Sequence, residues 1–268
     1  MRLVNLVLPF TPVRGRWRRV MVLVQAGVAL ACWALAGSRT LPSPGEVGAA
    51  WVDLVLRQGL LVELWSSVKV SLLALVLSTV AAVAVACLST APLFMPAARL
   101  AAALRFLGFA GLSYLFMLAA RDAHWLRVAL LWFGMFVFMV TALLAEIAAT
   151  PGERIDHCRT LGMRHWRITG EVVVLGQADV ILDLMRQNAA VGWTLLTLVE
   201  GMTRAEGGIG ALLLNQNRYF LLSGVFAIQF TILGFGLGQD ALLVLLKDAV
   251  CPYGRLGKVS ACRAELDS

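Results

Sequence analysis

Charge is scarce in this chain. Only 15% of the 268 residues are Asp, Glu, Lys or Arg, where a soluble domain carries about a quarter. Hydrophobic residues make up 60%, so a water-soluble globule is excluded first and a membrane protein is expected. Histidine is nearly absent. His124, His157 and His165 form no HExxH or other metal-ligand spacing. Five cysteines (Cys32, Cys87, Cys158, Cys251, Cys262) include no CxxC pair. Two sit in apolar runs and the others in segments assigned below to the cytosol, which favours free thiols over disulfides or metal ligands. A phosphate-binding loop is missing too. Gly254-Arg255-Leu256-Gly257-Lys258 has Pro252 at the first glycine position and Val259 at the hydroxyl position, so the chain is not expected to bind ATP itself. No catalytic constellation stands out, and no cofactor is implied. There is no internal repeat and no low-complexity tract. A secondary carrier built from two related halves with broken helices therefore finds no support. A membrane-embedded enzyme would need titratable groups converging at one depth, and only the fifth apolar run offers any.

What is present is a series of apolar runs of bilayer-crossing length, at about 20–37, 70–88, 104–120, 128–145, 172–199 and 221–246. The third is the shortest and relies on Arg105 and Arg121 reaching toward the interfaces. Arg2, Arg14, Arg16, Arg18 and Arg19 precede the first run and place the N-terminus in the cytosol. Ala34-Leu35-Ala36 has the small-residue pattern of a signal-peptide cleavage site. The apolar run is longer than a usual signal core, so a retained anchor is expected. Six crossings put both termini on one side. The larger share of the Lys and Arg then falls in 1–19, 89–105, 146–171 and 247–268, as cytosolic segments should show. The net charge of +7 is scattered between apolar runs rather than gathered in a domain, which fits an anionic membrane face and not nucleic acid.

Two polar stretches carry local signals. Ser43-Pro44-Gly45-Glu46 is a capping-box pattern with proline at the first helical position. Val47, Trp51, Leu54 and Val55 follow on one face, as in a helix lying on the membrane surface or an ordinary packed connector. Thr150-Pro151-Gly152-Glu153 repeats the capping pattern at the start of a charged loop helix. Ile155, Cys158 and Leu161 give it a narrow apolar stripe, and Gly162 stands where it should stop. The fifth run contains Asp179, Asp183, Arg186, Gln187 and Asn188. Charges at membrane depth face a water-filled path or a partner charge, and Asp183 and Arg186 have the spacing to pair on one helix. They are read as lining a translocation pathway, or as a neutralised pair that holds helices together. Gln239 and Asp240 of the sixth run are read as interhelical contacts, and Glu200 as a residue at the external end of the fifth.

In order along the chain, these features resemble the permease subunits of bacterial ATP-binding-cassette importers, within them the nitrate/sulfonate/taurine group. Those permeases carry a cytosolic Glu-Ala-Ala, three residues, Gly, nine residues, Ile-x-Leu-Pro loop. Here Asp156-His157-Cys158, Arg159-Thr160-Leu161-Gly162, Trp166 and Val172-Val173-Val174-Leu175 occupy its positions. Arg186, Trp193 and Glu200 match residues the group often has. Gly208-Ile209-Gly210 resembles its Ser-Gly-Leu-Gly turn, and Leu41-Pro42-Ser43-Pro44 the start of its external helix. The departures are Asp-His-Cys for Glu-Ala-Ala, Leu175 for the motif's proline and Asp179 for a second proline.

The resemblance implies a single all-α polytopic domain over 1–268, with about six transmembrane helices in the type I importer fold. The chain would be a non-catalytic subunit of the bacterial inner membrane. Its partners would be two ATPase subunits, a second permease chain, an extracytoplasmic solute-binding protein and the lipid bilayer. Thr150, Pro151, Glu153, Asp156, His157, Cys158, Leu161, Gly162 and Trp166 would then form the ATPase-coupling loop. Asp183, Arg186, Gln187 and Asn188 would line the path of a small, anionic solute. Glu200, Gly208 and Gly210 would form an external gate or a contact for the binding protein.

Overall fold

The computed structural model describes residues 15–35, 41–107, 109–119, 122–203 and 207–251. The N-terminal arginines at 2 and 14, Cys262 and the glycine-lysine stretch after Pro252 lie outside the described residues, as does the cytosolic assignment of both termini. Within the described residues the chain is all-α. The helices are α1 (Gly15–Leu35), α2 (Pro44–Arg57), α3 (Leu60–Ser89), α4 (Met95–Ala103), α5 (Phe109–Ala119), α6 (Ala123–Ala149), α7 (Gly152–Thr160), α8 (His165–Thr169), α9 (Ala178–Thr203), α10 (Ile209–Arg218) and α11 (Leu222–Val250). A short 3-10 turn (Leu104–Phe106) follows α4, and a π-helical segment (Gly170–Leu175) joins α8 to α9.

Three of these, α3, α6 and α11, are long and apolar enough to cross a membrane by themselves. A fourth crossing exists only if Met95–Phe106 and Gly111–Ala119 are taken together across their 115° bend. The described residues thus support three or four spans by length and composition, fewer than the six expected. Of the other two, α1 has an apolar stretch of only Val20–Ala34. The expected 172–199 run is interrupted, because Gly170–Leu175 is wound as a π-helix and α9 starts afresh at Ala178. Charged side chains early in α9 lower its hydropathy further.

The centre of the bundle is the seam between α3 and α6. On α3, Ser67, Ser71, Ala74, Ser78, Ala82, Ala86 and Ser89 recur at spacings of three and four, and all are buried. Residues so spaced share one face of a helix. Side chains this small let two backbones approach closely, which drives packing where lipid tails are as apolar as the helix itself. Met139, Val140 and Leu143 of α6 meet the Ala82–Ala86 part of this face, and Leu131 and Met135 pack with Ala74 and Leu75. Trp193 and Leu196 of α9, Ile209 of α10 and Ile228 of α11 complete the same core.

The expected capping box at Ser43 is present. Ser43 Oγ accepts from the Glu46 N–H at 3.3 Å, and the Ser43 N–H donates to Glu46 Oε2 at 3.0 Å. Val47 and Leu54 are buried, while Trp51 donates its indole N–H to Thr231 Oγ1 of α11 at 3.1 Å. So α2 is a connector packed on α11 and α3.

The two ends of the bundle are distinguishable. Thr90, just after α3, is 3.3 Å from Thr169 at the end of α8, hydroxyl to hydroxyl, so the 89–94 turn and the 150–175 region share one end. Gln216 donates to Gln58 at 2.8 Å, and Glu63 accepts from the Gly208 N–H. These place residues 58–63 and 207–218 at the other end. Both groupings agree with the sidedness expected from the distribution of basic residues.

Candidate functional site

At the first end, α7 stands out from the bundle with no buried residue. Its C-terminus is built as expected. Gly162 takes φ +71, its N–H donates to Arg159 O at 2.9 Å, and the Met163 N–H donates to Cys158 O at 3.2 Å. This double bond is a Schellman closure, which needs a left-handed residue at that place. The start of α7 differs from expectation. Pro151 is the N-cap and supplies no side-chain acceptor. Thr150 instead donates its hydroxyl to Glu146 O at 3.1 Å and accepts from Gln177 Nε2 at 2.6 Å. It is the last residue of α6's own hydrogen-bonding frame, so the hydroxyl finds the i−4 carbonyl before it finds the next helix. Thr150 therefore ties the end of α6 to the start of α9, and Glu153 remains exposed.

Ile155 and Cys158 of the expected stripe are half-buried, and Leu161 is 63% exposed. Asp156 pairs with Arg159 at 2.9 Å on the outer face, and His157 is exposed. Trp166 on α8 is 56% exposed. Below them a cavity of about 380 Å³ opens between the 90–92 turn and α8, with Arg159, His165 and Trp166 on its wall. This end therefore presents a short, glycine-terminated, exposed helix flanked by bare apolar side chains.

Midway down, α9 and the C-terminal part of α11 are joined by polar rungs. Arg186 Nε lies 2.7 Å from Asp240 Oδ1 and its Nη1 4.0 Å from Asp183 Oδ1, while Asp183 also pairs with Lys247. Trp193 Nε1 donates to Gln239 Oε1 at 2.7 Å. The expected Asp183–Arg186 pair is therefore the weakest rung of a four-charge ladder that crosses to α11. The interhelical reading of Gln239 and Asp240 agrees with this geometry. Two acids and two bases cancel. Asp183, Arg186 and Asp240 are all more than 40% exposed, so the ladder opens on one side. The other residues assigned to this path behave differently. Gln187 is exposed. Asn188 is buried and donates to Met135 O of α6 at 3.0 Å, a packing contact and not a lining position. Asp179 sits outside the ladder, in the first turn of α9.

No family model and no curated protein sequence matches this chain.

At the opposite end, Glu200 is fully buried. It accepts from Ser67 Oγ at 2.6 Å and from the Gly210 N–H at 2.9 Å, with buried Arg127 at 3.8 Å. Ser67 in turn accepts from the Ile209 N–H at 2.9 Å, and Arg127 donates to Gly207 O at 3.4 Å. Glu200, Gly208 and Gly210 are thus brought together, but as a clasp that binds the start of α10 to α3, α6 and α9. A carboxylate with no exposed surface offers no contact to a docking protein, so that expectation for Glu200 does not hold. Gly208 adopts φ +104, and a Cβ on Gly210 would meet Thr197 O at 2.5 Å. Gly210 is required by the close approach of the α9 backbone, and Gly208 by its positive φ and the Glu200 carboxylate packed against it.

Sequence reasoning missed Ser67, Arg127 and Glu63 of the clasp and Lys247 of the ladder. Lys247 had a legible signal, since it lies seven residues after Asp240, on the same helical face. Ser67 looked like any other small residue, and Glu63 and Arg127 looked like span-flanking charges. Among the described residues no group of three His, Cys, Asp or Glu is placed to hold a metal.

Proposed function

We propose that this chain is the permease subunit of a bacterial binding-protein-dependent ATP-binding-cassette importer, spanning the inner membrane with about six helices. The observation that carries the proposal is α7. It is a nine-residue helix with no buried residue, only Ile155 and Cys158 half-buried, terminated by a left-handed glycine and rooted between α6 and α9 through Thr150 and Gln177. A helix so polar and so short does not persist in water on its own. Anchored to the bundle at its start and closed by its own backbone bonds at Gly162, it is suited to be gripped by a second protein and to carry that protein's movement inward. The exposed Leu161 and Trp166 beside it favour a protein partner over solvent. The lack of a phosphate-binding loop in the chain fits an ATPase supplied as a separate subunit.

The solute path in this reading runs along the open side of α9, beside charged groups that sit roughly 27 Å (Asp240) to roughly 38 Å (Lys247) along α11 from Leu222, at 1.5 Å per residue. Charges at that depth are tolerated when they face water or one another. The ladder is neutral as it stands, so Arg186 attracts an anion only after its bond to Asp240 opens. The test is uptake into proteoliposomes with the ATPase subunits present. Arg186→Ala is expected to reduce uptake at least tenfold while leaving the complex assembled. Loss of the assembled complex, with residual uptake in proportion to what survives, would make the ladder a purely structural brace.

A further inference from the structure

We infer that the π-helical segment Gly170–Leu175 is the joint through which α7 and α8 turn α9 and open the ladder. The inference rests on the coupling reading above only for what pushes the joint. The joint itself is a property of this chain. A π turn holds one residue more than an α-helix needs, and such turns occur at places where a helix is under functional demand. Here the defining bond is the Gly176 N–H donating to Glu171 O, five residues back, at 2.8 Å. A Cβ on Gly176 would meet Val172 O at 2.9 Å and Glu171 O at 3.0 Å, so the tight exit from the π segment needs glycine.

The surroundings leave room for movement. On one side lies the cavity of about 380 Å³ walled by Ile147, Thr150, Ile168, Val172 and Val173. On the other, between α7 and the π segment, a second cavity of about 380 Å³ touches Arg154, Cys158, Glu171 and Gly176. Both cavities open to the surface, so the segment is not clamped by packed side chains on either side. Immediately after the joint, buried Gln177 ties to Thr150, and less than two turns further on α9 begins the ladder at Asp183.

Rewinding the segment as an α-helix moves the surplus residue along the chain, which turns the first part of α9, residues 178–187, by about 100° and advances it by about 1.5 Å, while the part beyond, held by Asn188 and Glu200, stays in place. Asp183 and Arg186 then leave Lys247 and Asp240, and the guanidinium becomes available to an anion. Movement of α7 in the cytosol is in this way converted into a change of charge pairing within the bundle.

The experiment uses spin labels at Gln187 on α9 and Leu242 on α11, both exposed, in the full chain in lipid nanodiscs with the native cysteines replaced by serine. Gly176→Ala, which crowds the π exit, is expected to move the label–label distance by on the order of 5 Å, from the radius of a helix with its side chains. Deleting Leu175, an exposed residue within the π turn, removes the surplus residue without turning α9. This variant is expected to keep the wild-type distance and, with ATPase subunits added, to lose the nucleotide-driven change seen in wild type. A Gly176→Ala chain with wild-type helicity and an unchanged distance would overturn the joint. So would a Leu175 deletion that displaces the labels. Should Gly176→Ala not fold, the deletion decides alone. An ATPase that never associates would sink the coupling reading and leave these nanodisc distances unaffected.

Discussion

Glu200 and Arg127 are the two most deeply buried charges in the described chain, and their partners are the Gly210 N–H and Ser67 hydroxyl for Glu200, the Gly207 carbonyl for Arg127, and each other. Removing one member of such a pair leaves an uncompensated charge and costs about 3–5 kcal/mol. Glu200→Ala is therefore expected to lower the thermal unfolding midpoint in detergent strongly, with α10 released first. A shift corresponding to under about 1 kcal/mol would mean the clasp is not structural. Glu200 was marked by the resemblance and by its place at the external end of the fifth run, but its contacts depend on groups from three other elements. Burial and partner identity are tertiary facts, and nothing local in Val199-Glu200-Gly201 encodes them. The same limit applies to Arg186, whose nearer partner Asp240 lies on a different helix. Its i−3 neighbour Asp183 was the only partner visible from spacing.

At the scale of the helix, local rules carried much further. The Ser43 capping box and the Gly162 stop are set by residues within five positions of one another, and both were legible. Thr150 had the same local pattern and failed, because α6 and Gln177 compete for its hydroxyl. The π-helical interruption at Gly170–Leu175 was also missed, since a run of valines reads equally well as continuous helix. Two outcomes follow from the elements as they stand. Gly162→Ala forces a Cβ into the left-handed region at about 1–2 kcal/mol, fraying the last turn of α7. Coupled ATP hydrolysis should fall severalfold while membrane insertion is unchanged, and equal hydrolysis would separate α7 from coupling. On α3, Ala82→Leu overfills the seam with α6 and is expected to cost about 1–3 kcal/mol, read as a lower midpoint of detergent unfolding. A neutral effect would show that the small-residue face is not a tight seam.

The described residues form an α-helical bundle with polar machinery at three levels: an exposed helix at one end, a charge ladder between the start of α9 and the C-terminal part of α11, and a buried clasp at the other end. Composition and run length were enough to indicate a chain with apolar helices of membrane-crossing length, because both are additive properties of the sequence; the all-α fold came with the resemblance. The number of crossings was less legible. Continuity of a helix depends on joints such as the π segment and on the bend after Phe106, which hydropathy averages over. The central claim is that α7 is the handle of a separate motor, and its most direct test is a photo-crosslinking amino acid at exposed position 157 in native membranes. The expected product joins this chain to a subunit carrying a Gly-x-x-x-x-Gly-Lys-Ser/Thr phosphate loop, and its yield changes when ATP is trapped. Labelling of position 157 from the external side, or crosslinks to lipid alone, would contradict it.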